Sequence, residues 1–292
     1  MFLMRNLGYT WFKTEGVLNV KVAYLGPQGT FSEEAAFRYF SSNKVEWLMC
    51  ESILDVLDAV KEHRVDKGLV PIENSIEGTI NMTADGLLMD EFFIEEEVIL
   101  PVSLHLLTMK GVEPDQVEEV WSIPPALAQC RNYIRELRAT SKHFNSTASA
   151  AKTLRDQARK DVGAIGSEWS ARMFDLQVTK SNIQDHGENC TRFVLVGRHE
   201  NKLTKGKKTM LVVTPNEERP GLLAIILNVF SSLSINLTWI ESRPTKKKLG
   251  TYRFFIETEK SLQEDSVRKA IAILETYGHD VLVLGSYNTT KL

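Results

Sequence analysis

Val20-Lys21-Val22-Ala23-Tyr24-Leu25-Gly26-Pro27-Gln28-Gly29-Thr30-Phe31-Ser32 begins as an apolar run and ends on hydroxyls. The run reads as a buried strand, and Gly26-Pro27-Gln28-Gly29 breaks it. Thr30 with Glu33 has the spacing of a capping box, so a helix follows through the alanine- and aromatic-rich residues 34–40. The same alternation recurs downstream. Ser52 with Asp55 opens a second helix that carries Ile53, Val56, Leu57 and Val60 on one face, and residues 68–72 form a strand that runs directly into Glu73-Asn74-Ser75. Strand, loop and helix in rotation predict an α/β sheet, in which ligands bind at the carboxyl ends of the strands.

A second set of elements starts near Val98. Residues 98–107 read as one nearly continuous apolar strand. Pro124-Pro125 then starts a helix with Leu127, Cys130, Ile134 and Leu137 at helical spacing. Another helix spans 147–154, residues 162–166 form a buried strand, and Ser167 caps a short helix. From Val178 the chain crosses back, and 193–196 closes the first sheet. These elements predict two lobes, about 20–98 with 180–200 and about 99–179, joined by two crossings around a cleft. This is a periplasmic-binding-protein-like arrangement. Residues 201–208 read as a lysine-rich linker, and 209–288 follow the ferredoxin-like β-α-β-β-α-β order. Residues 1–19 lack the apolar core of a secretory signal. They read as a disordered leader or a start-site artefact, with the first confident element at Val20.

The chain has 292 residues, 25% of them charged, and a net charge of -3, so it carries no electrostatic footprint for nucleic acid or an anionic membrane. No run reaches the ~20 apolar residues of a membrane span. Cys50, Cys130 and Cys190 show no C-x-x-C spacing, and the six histidines include no i, i+4 pair. A disulfide framework and a metal site are therefore disfavoured, and a cytoplasmic protein without a cofactor, acting on a small molecule, is expected.

Three polar clusters fall at loop-strand or loop-helix junctions. Gly26 to Ser32 puts glycines and hydroxyls ahead of a helix, where free N–H groups favour an anion, but it lacks the lysine of a nucleotide-binding loop. Glu73-Asn74-Ser75-Ile76-Glu77-Gly78 follows a strand end. Glu188-Asn189-Cys190-Thr191-Arg192-Phe193 sets a hydroxyl beside a guanidinium, a pairing suited to an oxygen-rich acid.

Taken in order, these clusters resemble a prephenate dehydratase. The resemblance also rests on Asp85, Ala126-Leu127-Ala128-Gln129-Cys130 and Ser146-Thr147-Ala148, and it covers residues 20 to about 197. In the tail, Pro220-Gly221-Leu222-Leu223, Ile235-Asn236-Leu237-Thr238 and Glu241-Ser242-Arg243-Pro244 are similar to the family's ACT regulatory domain. The resemblance implies decarboxylating dehydration of prephenate to phenylpyruvate, with L-phenylalanine as allosteric effector and a homodimer or homotetramer as the assembly. It places the leaving-group donor at Thr191, fed by Glu73 or a water. Arg192 is either a carboxylate anchor or a support for Thr191. Thr30, Asn74, Ser75, Ser167 and Asn189 are the other substrate candidates, and Gly221, Leu222, Asn236, Glu241 and Ser242 form the effector site. One departure stands out: Ser122-Ile123-Pro124-Pro125 replaces the family's Ser-His-Pro-Gln. Pro125 can start the helix as the usual residues do. Two other readings stay open, a non-catalytic amino-acid-binding regulator and an arogenate dehydratase.

Overall fold

The structure, a computed structural model, describes residues 19–41, 44–198, 206–217 and 219–292. Residues 1–18 of the expected leader and 201–205 of the expected linker lie outside them. The first lobe is built on β1 (Val20–Leu25), β2 (Val45–Cys50) and β3 (Lys67–Asn74), which run parallel and are connected by α1 (Phe31–Tyr39) and α2 (Ile53–Lys61). Ser52 and Asp55 close a reciprocal capping box on α2, and Ile53, Val56, Leu57 and Val60 are all buried. At α1 the box is half-formed. Thr30 Oγ accepts the Glu33 N–H, but the buried Glu33 carboxylate accepts instead from Gly29 N–H at 2.7 Å and Tyr24 O–H at 3.0 Å. Trp169 of the second lobe donates to it as well, at 2.9 Å.

Beyond β3 the chain turns back as β4 (Gly78–Thr79), passes through α3 (Asn81–Gly86), and enters β5 (Phe93–Pro101). The expected single strand over 98–107 is two strands in different sheets. β5 ends at Pro101, which has no N–H to continue a ladder, and β6 (His105–Thr108) belongs to the second lobe. β6 is buried throughout and Val98 and Leu100 of β5 are buried, so the apolar run does not reveal the break between them. In the second lobe β7 (Glu119–Ser122), α4 (Pro124–Gln129), α5 (Arg131–Leu137), β8 (Thr140–His143), α6 (Thr147–Gln157), β9 (Val162–Gly166), α7 (Glu168–Met173) and β10 (Gln177–Lys180) follow in turn. Their sheet has the order β10-β6-β9-β7-β8. The helix expected from Pro124 to Leu137 is broken at Cys130, whose φ of -115° and ψ of 22° end α4 and begin α5. β11 (Cys190–Gly197) returns to the first lobe and lies antiparallel between β3 and β5.

The C-terminal unit comprises β12 (Lys208–Thr214), α8 (Leu222–Ser232), β13 (Leu237–Pro244), β14 (Tyr252–Thr258), α9 (Asp265–Thr276) and β15 (Asp280–Lys291), in the strand order β13-β14-β12-β15 of a ferredoxin-like sheet. Leu211, Val213, Phe254 and Ile256 point under the two helices. Their strand neighbours Met210, Val212 and Phe255 point the other way, into a core shared with Val194 and Val196 of the first lobe. β15 extends well past the expected 281–284. Its residues 288–291 pair in parallel with 96–99 of β5, so one ten-stranded sheet runs through both units. Gly285 permits this join, because a Cβ there would lie 2.2 Å from the Ile94 carbonyl oxygen.

Candidate active site

A cleft of about 290 Å³ separates the two lobes. The N-termini of α1 and α6 both open into it, through Phe31 and Ser32 on one side and Ser146 and Thr147 on the other. The first N–H groups of each helix have no partner within the helix. Thr191 lines the same cleft with Asn74, Asn189, Gln129 and Glu77.

A chain of amides orients the Thr191 hydroxyl. Asn74 Oδ1 accepts the Ile76 and Glu77 N–H groups at 3.0 and 3.1 Å, which fixes its amide with the nitrogen facing the other way. That nitrogen donates to Thr191 Oγ1 at 3.1 Å and to Asn189 Oδ1 at 2.8 Å. Asn189 in turn donates to Gln129 Oε1 at 2.9 Å, across to the second lobe. Since Oγ1 already accepts a hydrogen bond, the one proton of Thr191 is available to a molecule in the cleft.

Arg192 does something else. Register pairs Thr191 with Asn74 and Arg192 with Glu73, so adjacent side chains on β11 face opposite sides of the sheet. The guanidinium points away from the cleft, toward the C-terminal unit. It pairs with Glu73 Oε2 at 3.0 Å and Glu257 Oε2 at 2.5 Å. Its Nε sits 2.6 Å from Glu97 Oε1, but the N–H is not aimed at that oxygen, and both atoms lack a hydrogen bond. Lys208 bridges Glu97 and Glu257 at 2.9 and 3.3 Å, and the Tyr287 hydroxyl donates to Glu257 at 2.6 Å. Glu97, Glu257 and Tyr287 are fully buried. Burial raises the Glu257 pKa, but the Arg192 guanidinium, the Thr238 and Tyr287 hydroxyls and Lys208 outweigh it, so the carboxyl lies below its ordinary value. The same burial lowers the Arg192 pKa, and the surrounding carboxylates more than reverse the change. Arg192 is thus a buried joint between the two units, not a substrate anchor, and Glu73 faces the wrong side to feed a proton to Thr191.

Two more expected contacts fall outside the cleft lining. Ser75 accepts the Cys190 N–H at 3.0 Å and braces the loop before β11. Ser167 is buried as the cap of α7, accepting the Ser170 N–H at 3.0 Å. Thr30 lines the cleft, though its hydroxyl also caps α1 and donates to the Leu25 carbonyl. Ile123 and Pro125, the departures from the family pattern, both line the cleft, and Pro125 also stands in the first turn of α4. Gln129, Glu77 and Ser146 were not singled out from the sequence as site residues. Glu77 follows a strand end, Gln129 closes α4 and Ser146 caps α6, and those junctions are the available signal.

Among the effector candidates, Gly221 precedes α8 in the left-handed region at φ 83°, and no atom of the described residues lies within 4 Å of a Cβ placed there. The constraint on this residue is conformational and not a close approach within the chain. Leu222 is buried. Asn236 donates to Glu259 at 2.8 Å, and Ser242 is exposed. Glu241 accepts from Thr79 of the first lobe at 2.8 Å, while Arg243 holds Asp85 of α3 through two nitrogens at 3.0 and 3.2 Å. The Arg243 hydrogen bonds hold the Asp85 carboxyl below its ordinary value; burial opposes them, and Lys246 assists.

The prephenate dehydratase family model matches residues 22–201, and the ACT domain model matches 209–276. A bifunctional chorismate mutase/prephenate dehydratase of Aquifex aeolicus is 39% identical over 92% of this chain and 73% of its own. A prephenate dehydratase of Lactococcus lactis is 37% identical over 94% and 99%. The crystal structure of a prephenate dehydratase from Arthrobacter aurescens in complex with L-Phe superposes with a TM-score of 0.84 at 33% identity, covering 92% of this chain and 90% of that one.

Proposed function

The chain belongs to the prephenate dehydratase family, and from that premise we propose that it converts prephenate to phenylpyruvate, water and CO2 in the interlobe cleft, with Thr191 as the donor to the departing ring hydroxyl. The observation that carries this reading is the Asn74 to Thr191 hydrogen bond of 3.1 Å, which leaves the threonine proton free for the substrate. Aromatisation drives the reaction, so the protein has to orient the dianion, polarise the leaving oxygen and exclude water. Among the described residues no cationic side chain lines the cleft. The unpartnered N–H groups at the starts of α1 and α6, one from each lobe, are suited to taking one carboxylate each. Binding then draws the lobes together, and the Asn189 to Gln129 bond supports the closed arrangement.

Phenylalanine, with which the A. aurescens protein forms a complex, acts in this chain at the C-terminal ACT domain. Glu241 and Arg243 contact Thr79 and Asp85, and Thr79 belongs to the β4 turn that begins at Asn74, which supports a route from effector to cleft. Three free cysteines fit a cytoplasmic setting, and exposed Leu223, Ile240 and Leu282 fit pairing of copies into a dimer or tetramer.

The test is turnover. The purified chain, given prephenate, should form phenylpyruvate, followed by its ultraviolet absorbance, and CO2 in equal amounts. Arogenate in parallel should yield less product per unit time. Absence of turnover on both substrates overturns the reading.

A further inference from the structure

Glu77 has no role in the reading above. Among the described residues it is the one ionisable side chain lining the cleft, and it stands in the turn that follows Asn74. Its N–H is bound to the Asn74 oxygen at 3.1 Å, and Asn74 is the residue that holds the Thr191 hydroxyl. Its own carboxylate lies 3.4 Å from Gln129 Nε2, so it spans the gap between the lobes beside the relay. Among the described residues it has no ion-pair partner. The charged groups on the segments packed nearby do not line the cleft. Glu73 is paired with Arg192 on the far face, Asp185 accepts from the Asn132 N–H, and His186, Glu188 and Arg131 also lie outside the lining.

The reaction needs an acid. Hydroxide is a poor leaving group, and a threonine hydroxyl cannot supply its proton outright. We propose that Glu77 is that acid, a catalytic residue that protonates the oxygen Thr191 polarises; the proposal rests on the dehydratase reading above. In the step, the bond from the ring to the carboxylate carbon breaks and CO2 leaves. Its electron pair enters the ring, the double bonds shift, and the carbon-oxygen bond at the opposite ring position breaks with its pair on oxygen. That oxygen takes the Glu77 carboxyl proton and departs as water. The carboxylate left behind is exposed and regains a proton from solvent.

The experiment compares Glu77→Gln, Glu77→Asp and Glu77→Ala with the unaltered chain and with Glu73→Gln, whose side chain faces away. Glu77→Gln is expected to lower kcat by roughly 10²-fold, within the span of general acid catalysis, with little change in KM and with the fall of kcat toward high pH abolished. Glu77→Asp should keep part of the rate and that pH limb. In Glu77→Ala, added acetate buffer should restore turnover in proportion to its undissociated acid. Glu73→Gln should retain the pH profile. If Glu77→Gln keeps kcat within twofold, or loses rate with the pH profile unchanged and no rescue of Glu77→Ala, Glu77 is not the acid. A chain inactive before any substitution refutes the dehydratase reading itself, which separates the two failures.

Discussion

Thr191 and Arg192 are neighbours on β11 whose side chains serve opposite faces of one sheet: the hydroxyl meets Asn74 at the cleft, and the guanidinium meets Glu257 of the regulatory domain. A shift of the regulatory domain that pulls on Arg192 therefore acts on the residue adjacent to the proposed donor. No long pathway is needed, because a rigid strand transmits a tilt directly.

The hydrogen-bond polarity at Thr191 gives the first prediction. Thr191→Ala should lower kcat by roughly 10²-fold with little change in KM, as loss of one preorganised donor does, and Thr191→Ser should recover much of it. Asn74→Asp should be as damaging as Thr191→Ala. A carboxylate accepts only, so it would draw the threonine proton away from the substrate. Steady-state kinetics check all three, and normal turnover by Asn74→Asp would contradict the assigned polarity.

Arg192 should behave as a structural ion. Removing one member of a buried charge cluster leaves the others uncompensated and typically costs about 3–5 kcal/mol. Arg192→Ala should therefore lower the melting temperature strongly, with Glu97 and Glu257 left buried against Lys208 alone. A chain cut before β12 should be destabilised in the same way, since it loses Glu257 and exposes the edge of β5. Calorimetry of the variant and the truncated chain tests this, and an Arg192→Ala chain of unchanged melting temperature but raised KM would restore the anchor role.

The Asp85 latch sets an acid limit. Its carboxyl lies below the ordinary value of 3.8, chiefly through Arg243, so its contribution is complete above that value and is lost as pH falls through the lower, folded-state value. Asp85→Asn should lower the melting temperature by an increment that is constant from neutral pH down to about pH 5 and shrinks below about pH 4. Thermal scans across pH decide the matter. An increment that shrinks between pH 7 and pH 5 would speak against it.

Ile123 and Pro125 border the cleft, yet α1 and α6 already supply it with donors. The double change Ile123→His with Pro125→Gln should raise kcat/KM by less than about tenfold, or ~1.4 kcal/mol. A much larger gain in steady-state assays would mark this chain as an impaired member of its family.

Phenylalanine should weaken prephenate binding or turnover by about 5–150-fold in the full chain, corresponding to a coupling of ~1–3 kcal/mol. Gly221→Val forces a β-branched residue to φ 83° at the start of α8. It should abolish the inhibition and spare turnover in its absence. Calorimetric titration with phenylalanine provides the check, and undiminished binding would move the effector site elsewhere.

Strand and helix types in the first lobe were legible because α2 and its neighbours carry their own caps and periodicity, all formed by residues close in sequence. The face that Arg192 occupies was not. The alternation of β11 was readable, but polar residues on both faces make sense only once the regulatory domain is known to cover one of them. The break at Pro101 was hidden for a related reason, since a run of buried residues reads alike whether it stays in one sheet or leaves it. Ser167 and Ser75 share a subtler cause: a hydroxyl at a loop end caps a helix or braces a loop as readily as it binds a ligand. Glu33 departs from its capping box because Gly29, Tyr24 and Trp169, the last 136 residues away, all donate to its carboxylate.

The parallel pairing of 288–291 with 96–99 has a consequence for synthesis. While a ribosome is still translating the regulatory domain, the catalytic lobes can pack, but the outer edge of β5 lacks its β15 partner until residues 288–291 emerge. For that interval the nascent chain presents an open strand edge beside the Glu97 carboxylate, which still lacks the Thr289 hydroxyl. Stalling or premature termination ahead of β15 should consequently yield aggregation-prone protein, although every residue of the cleft has already been made.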